Sequence, residues 1–129
     1  MQLVTAALLL HKGNLLLAQR AATDNLALKW EFPGGKVEAG ESPEVCLRRE
    51  LHEEFGITTE IGAHFATSDY DYGTGNLRIL AYWATWTNGA IQPRVHAKTC
   101  WVPPRDAHTF DLLPADIPIA QRLKEQHEP

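Results

Sequence analysis

The chain is poor in cysteine. Cys46 and Cys100 are the only two in 129 residues. They share no metal-ligand spacing and make no disulfide framework, which suits a reducing compartment and leads to a cytoplasmic expectation. A basic excess is also lacking, with 12 Lys+Arg against 16 Asp+Glu and a formal net charge of -4. Polyanion binding needs a basic footprint, so no nucleic-acid polymer is expected as partner, whereas a small phosphorylated molecule arriving with Mg²⁺ fits that balance. Long apolar runs are missing too. The stretch Leu3 to Leu10 is too short to span a bilayer and has neither a basic leader nor a small-residue cleavage site, so it reads as a strand and no membrane association is expected. There is no internal repeat, linker or low-complexity tract. Residues 1–129 read as a single domain, long enough for a core and too short for two.

What the sequence does have is acid on a helix. Ser42-Pro43 is a strong helix start, with Ser as N-cap and Pro at the first helical position, and Gly56 is the matching stop. Between them Glu50, Glu53 and Glu54 sit at i, i+3 and i+4 and share one helix face. Like charges at that spacing repel, and the helix C-terminus disfavours anions. Such a face either solvates a surface or holds a cation. Hard divalent ions take oxygen ligands, and Mg²⁺ combines carboxylates with waters and substrate phosphates. The preceding loop, with Gly34, Gly35 and Gly40, lets backbone groups approach an ion or phosphate closely. Arg49 is placed to neutralise part of the acid through a carboxylate pair.

Taken in order, Gln2–Leu10 and Asn14–Gln19 form a hairpin of buried strands, with Gly13 and Asn14 suited to positive φ. Arg20 ends the second strand and opens a polar loop. Trp30-Glu31-Phe32 is a short strand leading into the glycine loop. After the acidic helix, residues 57–66 form a strand, 68–76 a loop carrying Asp69 and Asp71, and 77–87 a central aromatic-rich strand. Residues 90–98 are polar and irregular, 99–102 form a further strand, and Pro103-Pro104 breaks it. The tail becomes helical, with Ile117, Ala120 and Leu123 as its packed face. The order β-β-β-α-β-β-β-α gives an α/β fold with a mixed sheet covered by helices.

The run from Gly35 to Ile57 resembles the Nudix box, G-x5-E-x7-R-E-U-x-E-E-x-G-U with U aliphatic, at every fixed position: Gly35, Glu41, Arg49, Glu50, Leu51, Glu53, Glu54, Gly56 and Ile57. Beyond the box, residues 15–20, 30–38 and 113–118 are similar to the MutT branch, and most similar to its CTP pyrophosphohydrolase type. The resemblance implies a Nudix-type α/β/α sandwich that cleaves nucleoside diphosphates linked to another moiety, with Mg²⁺ or Mn²⁺ as cofactor. It implies Glu50, Glu53, Glu54 and the Gly34 carbonyl as metal ligands, with Glu50 favoured as ligand and Glu53 as ligand or general base. Glu41 and Arg49, with Gly35, are expected to tie the loop to the helix. Arg20 and Phe32 match nucleotide-contacting residues.

Asp116 stands where MutT proper has a base-reading asparagine. It reads either as a cap for the last helix or as a base reader. An ionised carboxylate only accepts hydrogen bonds, which favours an exocyclic amine such as cytosine N4. One position departs from the branch: the glutamate often found before the tryptophan that Trp101 matches is Val95 here, followed by His96. The missing acid is then absent or supplied by Asp69 or Asp71. His96, on a loop, is expected to face solvent, with a base role near neutral pH as the alternative.

The function expected is Mg²⁺-dependent hydrolysis of a (deoxy)nucleoside triphosphate to monophosphate and pyrophosphate, with cytosine nucleotides (CTP, dCTP, 5-methyl-dCTP) preferred. The alternatives are an 8-oxo-dGTP-sanitising enzyme of the MutT type, a related hydrolase of dinucleoside polyphosphates, nucleotide sugars or capped RNA ends, and a non-catalytic nucleotide sensor. The intact box acids favour an enzyme. Monomer and dimer are equally open.

Overall fold

Leu8 and Leu9 face opposite ways, and that alternation sets the architecture. In the computed structural model, which describes residues 1–127, strand β1 (Gln2–His11) runs through the middle of a seven-stranded sheet. The domain reading ended at Pro129, which with Glu128 lies outside the described residues. Strand β2 (Asn14–Arg20) pairs antiparallel with the end of β1, and then with β3 (Trp30–Glu31) and β7 (His96–Val102). The start of β1 pairs antiparallel with β4 (Gly34–Lys36) and parallel with β6 (Asn76–Asn88), whose other neighbour is the antiparallel β5 (Thr58–Asp71). The sheet is mixed, as expected.

Helix α1 (Pro43–Phe55) covers one face, packing Leu47, Leu51 and Phe55 on Ala7, Leu9, Leu16 and Ala18. Helix α2 (Ile117–His127) covers the other, packing Ile119, Ala120 and Leu123 with Leu8, Leu15, Leu17 and Ile79. Two separate apolar clusters, one on each face, make the α/β/α sandwich. Of the face predicted for α2, Ala120 and Leu123 are buried, while Ile117 is 51% exposed and Ile119 is buried in its place.

The start of α1 follows the sequence signals closely. Ser42 Oγ accepts the Val45 N–H at 3.2 Å, and Gly56 closes the helix at φ 74°. Ser42→Ala is expected to cost about 1 kcal/mol, read as a lower urea midpoint at unchanged slope. The far end is held by residues expected to be irregular. Gln92 N–H donates to the Phe55 carbonyl and Arg94 N–H to the Glu54 carbonyl, both at 2.9 Å. The Arg94 guanidinium also donates to the carbonyls of His52 and Glu53 at 3.3 Å. These bonds satisfy orphan carbonyls and set a positive charge where the helix is negative.

Three other expectations need correction. The glycine loop contains a strand, β4, because hydrogen bonding to β1 satisfies backbone that glycine leaves uncovered. At the β1–β2 turn the positive φ angles fall on Lys12 and Gly13, while Asn14 already belongs to β2. Residues 68–71 and Asn76 are strand, not loop. There Arg78 grips Asp69 with two hydrogen bonds, of 2.8 and 3.0 Å, across the β5–β6 hairpin. A polar cross-strand pair extends a ladder without apolar residues.

Candidate active site

Close packing places glycine where the site begins. A Cβ at Gly34 would lie 2.0 Å from the Thr5 carbonyl oxygen, and one at Gly35 would lie 2.3 Å from the Glu50 carboxyl carbon. Only glycine lets β4 pass between β1 and the acidic face of α1. Beside it lies a cavity of about 270 Å³, whose wall includes Gly34, Gly35, Glu54, Arg20, Glu31, Phe32 and Asp116. A second, apolar hollow shares Leu77, Leu113 and Ala115 with it and adds Tyr70 and Tyr72. The structure therefore joins one end of the box to all three residues matched as nucleotide contacts.

Arg49 organises the acids. Its Nε and Nη2 donate to the two carboxylate oxygens of Glu41 at 2.7 and 2.9 Å, and its Nη1 donates to Glu50 Oε1 at 2.9 Å. The Arg49 guanidinium, helped by the Glu38 N–H, holds the Glu41 carboxyl down at about 2. Glu53 is looser: its side chain is 58% exposed and its Arg49 contact is 3.4 Å. Glu54 is the opposite case. Its Oε1 is buried with no hydrogen-bond partner among the described residues. Burial, and then the charges of Glu50 and Glu31, push its carboxyl up to about 8. Burial also raises Glu50, against the pull of Arg49.

Asp116 is no helix cap. It ends a 3₁₀ turn (Pro114–Asp116), is 3% exposed, and its Oδ2 accepts the Phe32 N–H at 3.2 Å. The turn is delivered there by neighbours of the short strand β3: Trp30 N–H donates to the Asp111 carbonyl, and Leu113 N–H to that of Trp30. Ser68 Oγ donates to the Ala115 carbonyl at 2.8 Å from the other side. Burial, with the nearby Glu31 charge, pushes Asp116 up to about 8, which favours the protonated form over the ionised carboxylate read from sequence. Phe32 is buried in the core, with its backbone spent on Asp116.

Arg20 donates through Nε to the Asn25 carbonyl at 2.8 Å and through Nη1 to Glu31 Oε1 at 3.2 Å. Glu31 is the site residue that sequence reasoning passed over. Its signal was available, as the single charge between two aromatics in a short strand. His96 is not solvent-facing: it opens β7, its side chain is 3% exposed, and its Nε2 lies 2.7 Å from Glu31 Oε2. Neither Asp69 nor Asp71 replaces the acid missing at Val95. Asp69 is spent on Arg78, Asp71 Oδ1 accepts the Gly73 N–H at 2.8 Å, and neither lines the cavity.

Among the described residues no three acidic, histidine or cysteine side chains converge on one point. Arg49 draws Glu50 and Glu53 to itself while Glu54 stays bare. The donor chemistry nonetheless fits a hard divalent ion. All the side-chain donors are carboxylate oxygens, one of them buried and unpartnered, and their mutual repulsion is what a cation would relieve.

An acidic helix beside a glycine-lined cavity, with Glu54 in its wall, inside an α/β/α sandwich, makes a candidate small-molecule site. A family model described as NUDIX domain matches residues 1–123. The chain belongs to the Nudix family, and it is a Nudix hydrolase. It is 37% identical to the CTP pyrophosphohydrolase of Escherichia coli (strain K12) over 118 residues, 92% of this chain and 87% of that protein. It is 30% identical to the 8-oxo-dGTP diphosphatase of the same strain over 114 residues, 88% of each. The solution structure of the E. coli ORF135 protein superposes with a TM-score of 0.82 at 36% identity, covering 94% of this chain and 86% of that one.

Proposed function

We propose that this Nudix hydrolase cleaves (deoxy)nucleoside triphosphates to monophosphate and pyrophosphate with Mg²⁺, and that cytosine nucleotides (CTP, dCTP, 5-methyl-dCTP) are its preferred substrates. The observation that carries the reading is the shared cavity, in which box residues Gly35 and Glu54, with Gly34 beside them, face Arg20, Phe32 and Asp116. Phosphates lie at the acidic end and the base at the Asp116 end. Glu50, Glu54 and the Gly34 carbonyl hold the divalent ion, with Glu53 as a further ligand or as the base. Mn²⁺ suits the same oxygen donors. When bound, the ion neutralises phosphate charge and lowers the pKa of water. Glu53, the least constrained of the three acids, takes the proton from the attacking water, whose oxygen bonds to phosphorus as the bond between the α- and β-phosphates breaks. Arg49 keeps Glu50 and Glu41 in register, and Arg20 binds the nucleotide.

The proton on Asp116 changes the recognition argument. A neutral carboxyl donates once and accepts once. It pairs with cytosine by donating to N3 and accepting from the N4 amine. The relative named CTP pyrophosphohydrolase, more similar than the one named 8-oxo-dGTP diphosphatase, supports the same choice. The same neutral carboxyl also suits 8-oxoguanine, donating to O6 and accepting from the N7 hydrogen, and this keeps 8-oxo-dGTP as the second reading.

Pyrophosphate release across CTP, dCTP, 5-methyl-dCTP, 8-oxo-dGTP and dGTP, for wild type, Asp116→Asn and Asp116→Ala, tests both. Wild type is expected to favour the cytosine set, Asp116→Asn, whose amide also donates and accepts, to keep that preference, and Asp116→Ala to lose it by about tenfold or more. Asp116 ionises above about 8. KM for CTP should therefore rise between pH 7 and 9 in wild type and stay flat in Asp116→Asn. An unchanged preference in Asp116→Ala removes Asp116 from base reading. A wild type that favours 8-oxo-dGTP selects the second reading.

A further inference from the structure

Behind the cavity wall, a buried histidine is joined to the nucleotide site through a single carboxylate. The register shift between Gln19 and Arg20 sets His96 directly across from Arg20 on the paired strands. The His96 ring is stacked on Phe55, with centroids 5.3 Å apart and planes 10° from parallel. Its Nε2 lies 2.7 Å from Glu31 Oε2, while its Nδ1 is buried with no partner among the described residues. An ionised carboxylate only accepts, so the hydrogen is on Nε2. The other Glu31 oxygen receives Arg20 Nη1 at 3.2 Å. Phe55 fixes the ring, the ring fixes the carboxylate, and the carboxylate fixes the guanidinium.

We propose that His96 is a positioning residue: by donating from Nε2 to Glu31 it holds that carboxylate, and through it Arg20, in the orientation that receives the nucleotide. This rests on the reading that Arg20 contacts the nucleotide. Val95 carries no such function. It is exposed, and the strand it precedes turns the next side chain inward.

The test is kcat and KM, with Mg²⁺, for the nucleotide cleaved best in the panel above, measured on wild type, Arg20→Lys, Glu31→Gln, His96→Ala, His96→Gln and the double variant His96→Ala with Glu31→Gln. His96→Ala is expected to raise KM about tenfold, the scale of one hydrogen bond to a charged group, with kcat within about twofold of wild type. His96→Gln keeps an N–H within reach of Glu31 and should restore most of the loss. In the Glu31→Gln background His96→Ala should add little, because the shared partner is already altered. His96→Leu, which keeps the packing on Phe55 without a donor, carries the same comparison if His96→Ala fails to fold. Equal losses for the Gln and Ala variants, additivity in the double variant, or a fall in kcat with KM unchanged would each overturn the proposal. An Arg20→Lys enzyme with unchanged KM would instead sink the nucleotide-contact reading beneath it.

Discussion

Glu53→Gln is expected to lower kcat for pyrophosphate release by about 10²–10⁴-fold, the usual contribution of a general base, while the protein stays folded. Both halves follow from where the side chain sits. Glu53 is more than half exposed and its one ion pair is long, and exposed pairs of this kind contribute at most about 1 kcal/mol. Removing its charge also relieves repulsion on Glu50 and Glu54, so thermal stability should hold or rise slightly. Glu50 makes a useful contrast. Its carboxylate packs against Gly35 and receives Arg49 at 2.9 Å, so Glu50→Gln should disturb the loop as well as the chemistry. A Glu53→Gln enzyme that keeps its turnover within about tenfold of wild type would move the proton acceptor elsewhere.

Glu54→Gln is expected to abolish most activity and yet stabilise the metal-free protein, by an amount that grows with pH. The carboxyl has an ordinary value of 4.5 when unfolded and about 8 when folded. The folded chain therefore binds the extra proton across that window, and stability falls as pH rises through it. Glutamine removes the term. The melting temperatures of wild type and Glu54→Gln should be close near pH 5 and diverge toward pH 8.5, with the variant higher by an amount on the order of a few kcal/mol in free energy. Asp116 titrates in the same direction in both proteins, so the difference isolates Glu54. Adding Mg²⁺ at pH 8 should close the gap by raising wild type alone, through mass action on the folded state. A gap independent of both pH and Mg²⁺ would mean that Glu54 is neither strained by its charge nor aimed at an ion.

Much of this site could be read from sequence because its signals are local. Ser42, Pro43 and Gly56 act through backbone geometry within a few residues, and the spacing of Glu50, Glu53 and Glu54 fixes their shared face in any helix. The misses are contacts between distant segments. Asp116 looked like a cap because it precedes a helix, but Phe32, just past β3, and Ser68, on β5, hold its turn. His96 looked like a loop residue because its neighbours are polar, and only its pairing across Arg20 and stacking on Phe55 bury it. Glu31 was passed over because nothing beside it in sequence explains a charge there. Its partners, Arg20 and His96, reach it across strand pairings. The strand lengths of β5 and β6 were underread for the same reason, since Asp69 and Arg78 stabilise the ladder only once they face each other.

The central place of β1 also bears on how the molecule comes to exist. Thr5 must find Gly35 on one side and Leu80 on the other, and parallel pairing cannot be made by a tight hairpin. A chain emerging in order from the ribosome can close the β1–β2 turn early, but the apolar edge of β1 stays unpaired until β6 has been synthesised. Such separation in sequence slows folding relative to helical proteins of equal size. Throughout that interval Leu8 and Leu9 lie on an open strand edge exposed to aggregation, and chaperones are most useful then.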